Sequence, residues 1–195
     1  MLLDKLNGRK ILLASNSPRR RELLKMLRVP FTSVSLEGLD ESFPCDMEPM
    51  EVAKYIAEKK SVAYRSHIAG DEIIITADTV VICEKQIMGK PAEATEAKKM
   101  LKFLSDKVHQ VATGVTIADK EKSVSFVCIT DVEFGRITTE EIDYYVDNFQ
   151  PYDKAGAYGI QEWIGAVAVK GIVGSYFNVM GLPVHLLYHH LNKFL

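Results

Sequence analysis

Apolar positions along the chain fall into short solid runs and helical stripes. Ile11, Leu12 and Leu13 read as a short buried strand. Beyond Ser15, Asn16 and Ser17, the residues Leu23, Leu24 and Leu27 recur at helical spacing. Ser17 suits an N-cap and Pro18 the first helical position. Residues 29–36 predict a second strand. Over residues 50–64, Val52, Ala53, Ile56, Ala57 and Ala63 mark one helical side, and Lys59 and Lys60 close its periodic part. Residues 72–83, EIIITADTVVIC, read as a buried strand. Residues 86–91, QIMGKP, return after a turn at Glu84 and Lys85. Ala97, Met100, Leu101 and Leu104 stripe a helix over 92–104. Residues 108–118 and 123–134 predict a long β-hairpin around 119–122. Thr138 and Glu141 fit a capping box opening a helix that carries Ile142, Tyr145 and Val146. Val167, Ala168 and Val169 predict a strand. Residues 174–183 form a glycine-rich connection, and a last helix runs to Leu191.

Composition narrows the class. A chain of 195 residues with 47% hydrophobic positions suggests one domain with a core it can fill. A net charge of -2 does not favour a nucleic-acid polymer or an anionic membrane as partner. Cys45, Cys83 and Cys128 are odd in number and make no C-x-x-C pair, which fits a reducing compartment and no zinc site. The N-terminus carries Asp4 and lacks a signal-peptide apolar region. No apolar run approaches the roughly 20 residues of a membrane span. The expectation is a cytoplasmic protein. Internal repeats, Walker motifs, G-x-G-x-x-G and G-x-S-x-G are absent from the sequence.

Several stretches carry candidate chemistry. Arg19, Arg20 and Arg21 occupy the first turn of the predicted helix, where acidic residues are preferred. An anion there, met by backbone N–H groups, Ser15, Ser17 and the guanidinium groups, would account for them. A solvated arginine run accounts for the spacing equally well. Asp78 interrupts the buried run at 72–83, which is costly unless the carboxylate is paired, hydrogen-bonded or bound to metal. Glu37, Asp40 and Glu41 form an acidic loop that could hold a divalent cation if the fold brings it to the arginines. Lys90 is presented between Gly89 and Pro91, a weak signal alone. In residues 153–161, DKAGAYGIQ, Gly156 and Gly159 allow close backbone approach. His185 and His189 have metal-binding spacing but no third ligand, and His67 and His109 show no partner in the sequence.

Taken together, LASNSPRR at 13–20, DES at 40–42, ADTVV at 77–81, GKP at 89–91, TGV at 113–115, DKAGAYGIQ at 153–161 and GSYFNVMGLP at 174–183 resemble the Maf family of nucleoside triphosphate pyrophosphatases. The resemblance runs along nearly the whole chain, residues 1–195, as one Maf-like domain. It implies an α/β fold with a mixed, strongly twisted sheet, flanking helices and two lobes around a deep cleft, as in ITPase-like proteins. It also implies a divalent-metal-dependent enzyme, with Mg²⁺ or Mn²⁺, and a homodimer as a common state. Asp78 matches the catalytic acid. Arg19, Thr79 and Gln161 match positions tied to substrate choice, and the combination looks like the subgroup acting on dTTP and UTP. Ser15, Arg20, Lys60 and Lys90 match phosphate-side positions, joined here by the Ser17 helix start. Asp40 and Glu41 match the acidic pair near the metal. The family usually has Gly after that Gln, whereas this chain has Glu162. The family is also linked to septum formation and division arrest.

The chemistry implied is attack of water at the α-phosphorus, releasing the monophosphate and pyrophosphate. Asp78 would orient or deprotonate the water, and Gln161, with one donor and one acceptor group, can read a pyrimidine edge. Two rival readings exist. A non-catalytic nucleotide-binding regulator of cell division would keep the basic cradle and lose the acid. A phosphatase would release orthophosphate instead.

Overall fold

The apolar run that begins at Ile73 becomes β3 (Ile73–Cys83), and one mixed sheet is assembled around it. The computed structural model describes residues 2–35, 38–66 and 68–195. Leu36 of the second predicted strand, Glu37 of the acidic loop and His67 lie outside the described residues. Beside β3 stand β1 (Ile11–Ala14) and β2 (Phe31–Val34) on one side. On the other stand β5 (Val108–Ala118), β6 (Ser123–Phe134) and β7 (Val169–Val173). The order is β2-β1-β3-β5-β6-β7, and β4 (Gln86–Met88) pairs with β3 off this path. β1 runs parallel to both neighbours, with Ile11 opposite Phe31 and Ile73. Ile11, Leu13, Ile73 and Ile75 are fully buried, as solid apolar strands in a parallel arrangement require. β4 is antiparallel to β3, and β7 is antiparallel to β6 with an irregularity at Glu133 and Phe134.

The chain divides into two compact units. The first comprises Met1–Asp78, Thr113–Cys128 and Gly181–Leu195. Its long helix α3 (Pro49–Arg65) buries Val52, Ala53, Ile56 and Ala57, as read from the sequence, together with Ser61 and Tyr64, whereas the expected Ala63 is only half-buried. Two features seat it. The Thr76 hydroxyl donates to the Ala57 carbonyl at 2.7 Å. Gly114 on β5 lies against the helix backbone, where a Cβ would stand 2.3 Å from the Ala53 carbonyl carbon and the Lys54 Cα. The glycine of the TGV stretch is therefore a packing requirement. Helix α1 (Leu2–Leu6) was not expected, because five residues are too few for a period to show. It buries Leu2 and Leu6, and Lys5 Nζ donates to the Asn192 carbonyl at 2.8 Å on α8 (Val184–Phe194).

The second unit comprises Thr79–Ala112 and Ile129–Met180. Its core gathers Leu101 and Leu104 of α4 (Ala94–Leu104), Phe134, and Tyr145 and Val146 of α5 (Thr139–Phe149). The expected capping box is present. The Glu141 N–H donates to Thr138 Oγ1 at 3.2 Å, and the Thr138 N–H donates to Glu141 Oε2 at 2.7 Å. The strand expected to begin at Val167 begins at Val169, because α6 (Trp163–Ala168) carries on through Ala168. Ile164 and Ala168 stand four apart and are both buried, a helical relationship stronger than the short β-branched run. The connection 174–183 contains α7 (Tyr176–Met180). Asn178 on it is buried and its Nδ2 donates to the Val111 carbonyl and to Thr130 Oγ1, both at 2.9 Å. Among the described residues, no helix is long and apolar enough to cross a membrane.

Candidate active site

The turn after β1 is built by its own serines. The Ser17 N–H donates to Ser15 Oγ at 3.2 Å. The Arg20 N–H donates to Ser17 Oγ at 3.4 Å, which makes Ser17 the N-cap of α2 (Pro18–Lys25), with Pro18 at its start. Both serine oxygens thus shape the loop, and accepting through a lone pair does not consume an O–H. Three consecutive arginines then open the helix, as expected, with no acid in that turn.

Arg20 turns back into the protein. Its Nε donates to the Gly181 carbonyl at 2.8 Å and its Nη1 to the Ala77 carbonyl at 2.9 Å. The guanidinium therefore grips the peptide immediately before Asp78. Burial pushes its pKa below the ordinary value, and Asp78 opposes that shift. Arg19 lowers it further and Glu41 raises it. Arg21 bonds back to the Asn16 carbonyl at 3.2 Å.

Asp78 and Thr79 are the half-exposed step in a strand buried on both sides of them. Lys60, one helix away, answers the carboxylate. Its Nζ lies 2.7 Å from Asp78 Oδ1 and 2.8 Å from Glu41 Oε1. The side chains of Lys60 and Asp78 are 11% and 15% exposed, so this pair is screened little by water. The partner of the Asp78 carboxylate is thus a charged side chain. Asp40 sits apart from this triad. Its carboxylate accepts from Lys59 Nζ at 2.8 Å and from the Ser42 N–H and hydroxyl at 2.9 Å. The Lys59 bond, then those from Ser42, hold its pKa well below the usual carboxylate value.

Two carboxylates converging on one ammonium show that Glu41 and Asp78 can surround a common cation with hard oxygen donors. That donor set suits Mg²⁺ or Mn²⁺, which are usually held by one or two carboxylates together with substrate phosphates and water. Among the described residues, no group of three or more His, Cys, Asp or Glu is assembled for a metal. His185 and His189 stack edge to face at 4.6 Å.

In the second unit, Lys90 is exposed, and the neighbouring Gly89 carbonyl accepts the Gly156 N–H at 3.0 Å. Gln161 is exposed on a turn closed by the Glu162 N–H to the Gly159 carbonyl at 3.0 Å. Two residues around that turn, Lys154 and Tyr145, were not singled out from the sequence as site residues. Lys154 is buried and bonds Asp153 Oδ1 at 2.7 Å and Glu162 Oε1 at 3.0 Å. Tyr145 donates to Glu162 Oε2 and accepts the Gly159 N–H at 3.1 Å. The usable signal was a lysine leading into the small, glycine-rich AGAYG run at 155–159. Tyr145 gave none, because its ring position belongs to the apolar face of α5.

The fold and these clusters define a class. Residues 10–194 match the family model described as Maf-like protein, and the chain belongs to that family. Among its relatives, the dTTP/UTP pyrophosphatase of Parabacteroides distasonis is 51% identical over 193 residues, covering 99% of this chain and 100% of that one. The dTTP/UTP pyrophosphatase of Flavobacterium psychrophilum is 42% identical over 191 residues, covering 98% and 97%. The solved Staphylococcus aureus Ham1 protein aligns over 96% of this chain and 100% of its own, with a TM-score of 0.53 at 17% identity, which shows a shared fold.

Proposed function

We propose that this chain is a nucleoside triphosphate pyrophosphatase, acting through one Maf-like domain, that hydrolyses dTTP and UTP to the monophosphate and pyrophosphate. The observation that carries the reading is the Glu41–Lys60–Asp78 triad at the half-exposed step of β3. An acid, a lysine and a second carboxylate converge there, next to the arginine that grips the Ala77 carbonyl. The names of the relatives, dTTP/UTP pyrophosphatase, support the same two substrates.

Asp78 is the catalytic carboxylate and acts as a general base. It accepts a proton from the water that attacks the α-phosphorus, and Glu41 shares the cation-binding role with it. Asp78, with Glu41 or Asp40, would hold a divalent cation, which would supply charge neutralisation and a lowered pKa for a bound water. Lys60, Lys90, Arg20 and the Ser15–Ser17 turn hold the negative phosphate chain, and the pyrophosphate leaves on them. Arg19, Thr79 and Gln161 set substrate choice, with Gln161 offering a donor and an acceptor to a pyrimidine edge. The triphosphate is the substrate, and the cytoplasm is the compartment that three free thiols fit.

Product analysis tests the reaction. UTP incubated with the protein and Mg²⁺ or Mn²⁺ yields UMP and pyrophosphate. Chromatography that finds UDP and orthophosphate assigns a phosphatase instead.

A further inference from the structure

The turn that presents Gln161 is fastened at both ends by one hydroxyl. Tyr145 is fully buried on α5. It receives the Gly159 N–H at 3.1 Å and donates to Glu162 Oε2, so it closes the four residues 159–162 from behind. The second carboxylate oxygen, Oε1, accepts from Lys154 Nζ at 3.0 Å, and Lys154 is itself held by Asp153. Both oxygens of Glu162 are therefore committed. Its carboxylate also fills the space over Gly159, where a Cβ would lie 2.9 Å from Glu162 Cδ. Upstream the backbone is equally constrained, since Ala157 is buried in a left-handed conformation at φ 60°. Gln161 is the exposed residue in this stretch, between the 7% exposed Ile160 and the half-buried Glu162.

We propose that Glu162 is a positioning residue for base selection: through Tyr145 and Lys154 it locks the 159–162 turn and so fixes where the Gln161 amide is presented. The inference rests on the reading that Gln161 contacts the base. The physical reason is geometric. A flexible amide can satisfy the donor-acceptor pattern of either pyrimidine by swinging or flipping, whereas a fixed one rejects the mismatch. Placement errors of about 1 Å can cost on the order of 10²-fold in rate. Glycine, which the resemblance leads one to expect at this position, would leave the Tyr145 hydroxyl and the Lys154 ammonium without this acceptor. Burial and Glu162 both push the Tyr145 pKa above its ordinary value, so the hydroxyl stays protonated and keeps donating.

The test compares Glu162→Gly, Tyr145→Phe and Glu162→Gln, with Gln161→Ala as the reference. For each variant, kcat and KM are measured with UTP and CTP beside a thermal melt. Glu162 is the N-cap of α6 and its side chain makes no capping bond, and glycine is well tolerated at an N-cap. Tyr145→Phe removes a single oxygen from a packed ring. The expected result is a fall of about tenfold in the UTP-to-CTP ratio of kcat/KM for Glu162→Gly and Tyr145→Phe, with kcat for UTP changed less than about threefold. Glu162→Gln keeps an acceptor for Tyr145 and holds the ratio within about threefold of wild type. Added to Gln161→Ala, neither substitution lowers the ratio further. If Gln161→Ala abolishes discrimination while Glu162→Gly and Tyr145→Phe leave it intact, Glu162 does not position the turn and the proposal is overturned, with the base-reading role of Gln161 untouched. If Gln161→Ala itself leaves the ratio unchanged, the base-reading role fails and takes this inference with it. Should Glu162→Gly not fold, Tyr145→Phe decides alone.

Discussion

Lys60 Nζ stands 2.7 Å from Asp78 Oδ1, with both side chains nearly out of water, and the same ammonium reaches Glu41 at 2.8 Å. The pair explains how an apolar strand tolerates a carboxylate at its centre. It also sets two carboxylates, those of Asp78 and Glu41, around one ammonium. Replacing Asp78 by asparagine keeps the size and a carbonyl acceptor for Lys60 but removes the charge. The expected outcome is a folded protein with kcat for UTP lowered by about 10²–10⁴-fold, the usual range for losing a general base. Single-turnover hydrolysis beside a thermal melt checks it, and a folded variant with near wild-type turnover removes Asp78 from the chemistry.

Arg20 acts on the same strand through its fork. Arg20→Lys retains the positive charge but cannot bond the Ala77 and Gly181 carbonyls together as the guanidinium does. The variant is expected to lose about 1.5–3 kcal/mol of stability, the range for hydrogen bonds involving a charged group. Its affinity for UTP should fall less than that of Arg20→Ala, which loses the charge as well. Denaturant unfolding and calorimetry with UTP and uridine separate the two effects. Unchanged stability in Arg20→Lys would show that the grip on Ala77 is dispensable.

Gly114→Ala probes the contact of β5 with α3. The added methyl meets helix backbone at 2.3 Å, and backbone cannot rotate aside as a side chain can. The cost should reach about 3 kcal/mol or more, at the upper end of overpacking penalties. For a chain of this size that corresponds to a Tm lower by about 6–12 °C. A melt within about 2 °C of wild type would mean that α3 shifts freely on the sheet.

His109 gives the stability a pH signature. It is buried, its Nε2 lies 2.8 Å from the Tyr158 hydroxyl, and Phe134 packs on it edge to face at 4.8 Å. Burial lowers its pKa from the ordinary 6.5 to about 4. The folded state therefore binds fewer protons than the unfolded chain between those values. Stability from this group is complete above pH 6.5 and is lost as pH falls toward 4, by about 3 kcal/mol in all. Denaturant titrations at steps from pH 7 to pH 4 should show this slope, and His109→Gln should flatten it. An equal slope in the variant would assign the acid sensitivity to other groups.

Signals confined to a few neighbouring residues were readable without the structure. Ser17 and Pro18 start α2, Thr138 and Glu141 start α5, and the apolar run containing Asp78 is β3. Each depends on backbone groups within three or four positions or on a local period, so its physics lies inside the segment. The odd features of Arg19–Arg21 and Asp78 could be flagged for the same reason, since a cost is legible wherever a charge sits against its local surroundings. What offsets each cost was not legible. Lys60 is 18 positions from Asp78 and Arg20 is 161 from Gly181, and both partnerships join segments that only the folded chain brings together. Likewise Asp40 and Glu41 are adjacent in the chain yet answer different lysines, because consecutive side chains leave an irregular loop in different directions. Tyr145 read as one more apolar ring, and only the packed structure turned its hydroxyl toward Gly159 and Glu162. The sequence by itself determined the longer elements, the caps of α2 and α5 and the family of chemistry. Which charges meet was decided by tertiary packing, because an ion pair needs proximity in space and periodicity encodes only proximity along the chain.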